Sequence, residues 1–299
     1  SASLTLDNTA PVVSTVAISP SSATNRDSLT CSISATDADG ETLTFAYTWT
    51  NSTTGVSLGS GDTLDLDTGL ASPEDVIVCD ATAADPSGAV DSGSANLTLS
   101  NTTPSLSNVT ITPDTGVTTS STLLCSSTPS DDDDDALTTT YEWTNGSNVL
   151  GYANSLTLSP GTVSSSDSIT CTATTLDPYG ASASGSASVV VENTAPVVDT
   201  VTITPSTAVN GDTLTCLGTA SDADGGTPSL SYSWTINGTP AGNTDTLVLG
   251  AAVYSDVVVC TVTATDNDGG SSSDSASLTL DNTAPVVSTV AISPSSATN

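Results

Sequence analysis

An all-β fold, arranged as a tandem array of seven-stranded β-sandwiches, follows from three observations on the 299-residue sequence. Apolar residues fall in short runs that alternate with Ser and Thr, as in Leu29-Thr30-Cys31-Ser32-Ile33-Ser34-Ala35, which is the period of a strand with one buried face. No window carries a helical period, and Gly, Pro, Asn and Asp interrupt the chain roughly every ten residues. The landmarks then repeat. Asn-Thr-(Ala or Thr)-Pro begins at Asn8, Asn101, Asn193 and Asn282, in steps of 93, 92 and 89 residues. Each step holds a Cys, a Trp 18 residues later, and a second Cys: Cys31, Trp49 and Cys79, then Cys125, Trp143 and Cys171, then Cys216, Trp234 and Cys260.

These landmarks divide the chain into repeats at 8–100, 101–192 and 193–281, with 1–7 read as the last strand of a preceding repeat and 282–299 as the start of a following one. The first 25 residues recur letter for letter as residues 275–299. The chain is therefore expected to be a window of a longer array, with 285–293 the first strand of the next domain. Within the first repeat, strands are expected near 12–18, 28–35, 42–50, 56–58, 63–66, 75–83 and 90–99, in the order A to G. Alternation points Leu29, Cys31 and Ile33 inward on B, and Leu43, Phe45, Tyr47 and Trp49 on C. On F and G it points Ile77, Cys79, Ala81, Ala95, Leu97 and Leu99 inward.

Cys on B, Trp on C and Cys on F resembles the immunoglobulin-type sandwich, where the Trp packs on an inter-sheet disulfide. The whole chain resembles bacterial immunoglobulin-like and PKD-like tandem repeats of giant surface proteins, and its linkers resemble those of cadherins. It departs from both patterns. Ile77, Ile169 and Val258 stand where an antibody-type tyrosine corner would place Tyr, and Thr48-Trp49-Thr50 stands where PKD repeats carry Trp-Asp-Phe-Gly. Six cysteines allow many pairings; the repeat together with the resemblance selects Cys31–Cys79, Cys125–Cys171 and Cys216–Cys260. Each bond is worth roughly 4 kcal/mol in the chain-entropy picture and implies an oxidising compartment outside the cytoplasm.

Charge excludes several functions. Arg26 is the single Lys or Arg against 33 Asp and Glu, a net charge of -32, with no His and no Met. One cation cannot neutralise phosphates, so neither nucleic acid nor an anionic membrane is a partner. Triads and zinc sites that need imidazole are excluded, and no apolar run is long enough to span a bilayer. Paired carboxylates could serve a glycosidase, but the loops are short and build no cleft, so no enzyme is expected.

The acids are clustered. After strand B come Asp37-Ala38-Asp39-Gly40, the run Asp131 to Asp135, and Asp222-Ala223-Asp224-Gly225. After strand F come Asp85-Pro86-Ser87-Gly88, Asp177-Pro178-Tyr179-Gly180 and Asp266-Asn267-Asp268-Gly269. Both loops lie at the end of the sandwich where the chain enters, beside the linkers Asp7-Asn8, Ser100-Asn101, Glu192-Asn193 and Asp281-Asn282. Carboxylates brought together repel, and calcium, which takes six to eight oxygen ligands, offsets them. The expected calcium ligands are Asp7, Asn8, Asp37, Asp39 and Asp85; then Asn101, Asp131, Asp133 and Asp177; then Glu192, Asn193, Asp222, Asp224, Asp266 and Asp268. The cadherin resemblance implies the same. The second set is expected to be weakest, because its linker carries Ser100 in place of an acid. The other reading of these loops is plain turns, which favour Asp for local backbone bonds.

The functional expectation is a structural segment of a bacterial extracellular or cell-surface fibre, stalk or adhesin shaft, whose partners are further copies of its repeats or other chains of the same fibre. The alternative is an adhesive module that binds carbohydrate or ice through its Ser/Thr faces. Asp-Thr-Leu triplets at Asp62 and Asp212 resemble a bacterial O-glycan acceptor pattern, and Asn51 and Asn237 begin Asn-x-Ser/Thr sequons.

Overall fold

The computed structural model describes residues 7–291 and residue 293. The strand expected within residues 1–7 therefore lies almost wholly outside the described residues. Three units follow one another, each of seven strands. The first holds β1 (Val12–Ser19), β2 (Ser28–Thr36), β3 (Thr44–Asn51), β4 (Val56–Ser60), β5 (Thr63–Asp65), β6 (Val76–Ala84) and β7 (Val90–Thr98). The second holds β8 (Ser105–Thr112), β9 (Thr122–Ser130), β10 (Thr138–Asn145), β11 (Asn148–Gly151), β12 (Ser155–Thr157), β13 (Ser168–Leu176) and β14 (Ser182–Val190). The third holds β15 (Val197–Thr204), β16 (Thr213–Ser221), β17 (Ser229–Ile236), β18 (Thr239–Gly242), β19 (Thr246–Val248), β20 (Val257–Thr265) and β21 (Ser271–Thr279).

Every unit is a three-on-four antiparallel sandwich, β1-β2-β5 facing β4-β3-β6-β7 and likewise in the other two. The fourth strand, expected as a D strand, is hydrogen-bonded to the third. The reason is local: β3 turns directly back into β4, pairing Asn51 with Val56, and in the third unit Asn237-Gly238, both at positive φ, make the tight hairpin turn. A strand returned by so short a loop stays on the sheet it left.

Each core is built on a disulfide and a Trp. Cys31–Cys79, Cys125–Cys171 and Cys216–Cys260 join the two sheets, with Cα atoms 6.5, 6.4 and 6.4 Å apart. Trp49, Trp143 and Trp234 are fully buried beside them, and their indole N–H groups donate to Gly61 O, Ala153 O and Thr244 O at 2.9, 2.9 and 2.8 Å. An indole donor buried without a partner would forfeit its hydration, so this bond is what allows Trp in the core. The buried residues form three separate clusters, one per unit.

Two sequence expectations change. Phe45, expected inward, is 46% exposed. Phe45 sits near the start of β3, two residues before Tyr47, and unlike Tyr47 and Trp49 it is not packed into the core of its unit. Residues 285–291, expected to form a strand, form none. They repeat the sequence of β1, but β1 is held by its ladder to β2, and among the described residues no strand pairs with 285–291; Val286 is 89% exposed.

Of the sequons, Asn51 is buried, with its amide donating to Asp75 Oδ2 at 2.7 Å, which withdraws it from modification. Asn237, Thr63 and Thr213 are exposed.

Candidate metal centre

The recurring Asn-Thr of each linker has a mechanical role at the pole where the chain enters a unit. The Asn amide donates to the aspartate of the β6–β7-type loop: Asn8 to Asp85 Oδ2 at 2.8 Å, Asn101 to Asp177 Oδ2 at 2.8 Å, and Asn193 to Asp266 Oδ2 at 3.0 Å. The following Thr N–H donates to the second aspartate of the β2–β3-type loop: Thr9 to Asp39 at 2.7 Å, Thr102 to Asp133 at 2.6 Å, and Thr194 to Asp224 at 2.6 Å. The dipeptide thus ties two loops to the entering chain, and a buried Pro follows in every unit (Pro11, Pro104, Pro196).

Within the loops the turn chemistry is also present. The first aspartate accepts the N–H of the second on Oδ1, at 2.7 Å for Asp37–Asp39, 2.8 Å for Asp131–Asp133 and 2.7 Å for Asp222–Asp224. Asp85, Asp177 and Asp266 accept the N–H groups of Ala89, Ala181 and Gly270 at 2.9, 2.8 and 2.8 Å. These bonds account for only part of the oxygen inventory. In the first unit Asp37 Oδ2 and Glu41 Oε2 are buried without a partner; in the second, Asn101 Oδ1, Asp131 Oδ2, Asp133 Oδ1 and Asp135 Oδ2 are. Asp133 is 5% exposed overall. The carboxylates of Asp37, Glu41 and Asp85, and those of Asp131, Asp133 and Asp135, approach so that one oxygen from each lies within 4.8 Å of the others.

Glu41 and Asp135 are members that the sequence reading missed. Their signal is an acid at every second position, Asp37-x-Asp39-x-Glu41 and Asp131-x-Asp133-x-Asp135; the third unit reads Asp222-x-Asp224-x-Gly226 and has no third carboxylate. Burial pushes the Glu41 carboxyl above the ordinary range, reinforced by the charges of Asp85, Asp37 and Asp39. Burial does the same to Asp135, reinforced by Asp131, Asp133 and Asp177. Asp85 and Asp266 are held low chiefly by the amides of Asn8 and Asn193. For Asp177 burial acts upward, but Asn101 and three backbone N–H groups outweigh it.

Glu192, expected in the third set, is turned back to its own unit, where Oε1 accepts Gly116 N–H at 2.8 Å. Asp7 lines a groove with Asn8, Asp39 and Glu41. The set expected to be weakest, behind Ser100, is the one with the most buried unpartnered oxygens; Ser100 N–H donates to Ala23 O at 2.8 Å in the preceding unit and takes no part in the cluster.

The same loops touch the unit before. Arg26 forms ion pairs with Asp67 of its own unit and Asp134 of the next, and its Nε donates to Asp132 O at 3.1 Å. Asn25 donates to Asp133 O at 3.1 Å, and its Oδ1 is buried without a partner. Between the second and third units hydroxyls replace the guanidinium: Thr119 Oγ1 donates to Asp224 Oδ1 at 2.9 Å and Ser165 Oγ donates to Asp268.

No known family's sequence pattern matches the chain, and no curated protein matches it by sequence. Among solved structures the chain is similar to a tetra-tandem repeat in the extending region of a large adhesion protein, at a TM-score of 0.37 and 19% identity over 91% of this chain and 75% of that one. It is similar to a structure bearing on host cell surface retention of a 1.5-MDa bacterial ice-binding adhesin, at 0.34 and 16% over 92% and 99%. It is also similar to cadherin domains 1–5 of protocadherin gamma B2, at 0.30 and 14% over 86% and 56%.

Proposed function

We propose that this chain is a load-bearing segment of an extended extracellular or cell-surface fibre, and that calcium fixes the entry pole of its first sandwich and the junction between its first and second. The observation that carries the calcium reading is the set of buried, unpartnered oxygens on Asn101, Asp131, Asp133 and Asp135 at the entry of the second unit, the three carboxylates lying within 4.8 Å of one another. Oxygen-only donors of this charge suit a hard cation that takes carboxylates and amide oxygens alike. Asp177 would stand behind them, held by Asn101. In the first unit the ligands would be Asp37, Glu41 and Asp85, with Asp7, Asn8 and Asp39 at the rim. The third unit keeps Asn193, Asp222, Asp224, Asp266 and Asp268 but lacks the third carboxylate, and its Asp224 and Asp268 are engaged by Thr119 and Ser165; it is assigned no ion.

The fibre reading rests on three disulfides with no free cysteine, which suit an oxidising exterior, on three separate cores in series, and on a net charge of -32 that keeps long chains apart in solution. A single Arg also leaves trypsin-like proteases one cleavage site.

Small-angle scattering with calcium and then with a chelator tests the proposal. The expected result is a chain whose largest dimension falls and whose distance distribution broadens on chelation, while each disulfide-stapled unit still melts cooperatively. Unchanged dimensions, with no calcium retained after dialysis, would leave the loops as turns only.

A further inference from the structure

On the outer face of the four-stranded sheet in the second unit, Tyr152 follows β11 and is 70% exposed. Beside it runs an open groove of about 300 Å³ lined by Thr140, Tyr141, Glu142, Tyr152, Thr172 and Thr174. The ladder sets the floor: Thr140 lies opposite Thr174, and Glu142 opposite Thr172, so three threonines and one glutamate stand in two adjacent rows. Glu142 has no cation near it, because the one Arg of the chain is committed to Asp67 and Asp134.

The other units serve as internal controls. Gly151, Gly59 and Gly242 each pair with the Trp of their own unit, so Tyr152 corresponds to Ser60 and Asn243. Glu142, one residue before Trp143, corresponds to Thr48 and Ser233. The fold needs neither an aromatic nor an acid at these places, since two of its three copies do without them.

We infer that this groove is a carbohydrate subsite for a neutral pyranose. A pyranose offers one face of C–H groups, which covers the exposed Tyr152 ring, and an edge of hydroxyls, which donate to Glu142 and exchange hydrogen bonds with Thr140, Thr172 and Thr174. An anionic sugar would meet Glu142 and the field of a strongly acidic chain, which selects against it. Both a free polysaccharide and a glycan carried by a neighbouring molecule present this chemistry. The inference does not depend on calcium at the junctions.

The test is saturation-transfer NMR on the intact chain with cellohexaose, laminarihexaose and mannohexaose at millimolar concentration, each beside its methyl monoglycoside. At least one sugar should receive saturation on its ring C–H protons and shift the amides of Thr172 and Thr174. Tyr152→Ser, which copies the first unit and touches no core residue, should weaken binding by about tenfold or more, and Glu142→Thr should weaken it as well. Stronger binding of the hexamer than of the monoglycoside would assign the groove to a polysaccharide, and equal binding to a terminal glycan residue. No transfer to any of the sugars, or binding that survives Tyr152→Ser unchanged, overturns the inference.

Discussion

Asp133 accepts Thr102 N–H on one oxygen and has no partner for the other; Asp256 uses both of its acceptor directions. The contrast divides the acidic residues of this chain into two kinds. Asp256 is a turn residue: it accepts Val253 N–H at 2.8 Å and the Asn237 amide at 2.7 Å, and those two bonds hold its carboxyl below the ordinary range against the opposing effect of burial. Its folded-state pKa lies below the unfolded one, so the stability it adds is present above the unfolded value and is lost as pH falls through the folded one. Asp256→Ala should therefore lower the melting temperature of the third unit by a few degrees at neutral pH, and the difference from the parent should shrink on acidification below the ordinary carboxylate range. Equal differences at every pH would deny the carboxylate this role. Arg26 is the other singular residue. It is partly exposed and bridges two units, so Arg26→Gln should leave every unit folded yet loosen the first junction, seen as a wider distance distribution between labels in the first and second units. The loss should fade in high salt, where the ion pairs are screened in the parent as well; a salt-independent loss would point to packing.

At the scale of elements, the strands were legible because period-two alternation and the Cys–Trp–Cys register are local properties of the chain. What the register could not convey was the company each strand keeps. Phe45 follows the alternation of β3 faithfully yet stays outside the core that Tyr47 and Trp49 join, and residues 285–291 repeat β1 while no ladder partner for them lies among the described residues. The acidic loops were half legible: their convergence could be read from topology, but the third carboxylate, Glu41 or Asp135, stands in the approach to the third strand of its unit and was missed. Gly226 occupies that place in the third unit, with nothing within 4 Å of a Cβ built on it and no positive φ. Gly226→Asp should fold normally and add one bound calcium per chain, measured by equilibrium dialysis; an unchanged stoichiometry would mean that three carboxylates in this loop are not sufficient. The disulfides can be tested at the same scale. Replacing Cys125 and Cys171 together with Ala should cost the second unit about 2–5 kcal/mol in denaturant unfolding, with the first and third units unaffected because their cores are separate.

For the whole molecule, the units share a fold while their junctions differ: a guanidinium and a carboxylate cluster between the first and second, hydroxyls to aspartate between the second and third. A fibre built this way would owe its stiffness to a small number of polar contacts at each pole, with the cores contributing only the rigidity of the units. Arg26 is committed to Asp67, Asp134 and the Asp132 carbonyl, so the repulsion among Asp131, Asp133 and Asp135 is what the proposed divalent ion would offset. Calorimetric titration of the full chain with calcium addresses this most directly. Two ions should bind; Glu41→Gln should abolish the one in the first unit, and Asp133→Asn, which keeps an acceptor for Thr102, the one at the first junction. A chain that binds no calcium, or whose stoichiometry is the same in both variants as in the parent, would contradict the assignment.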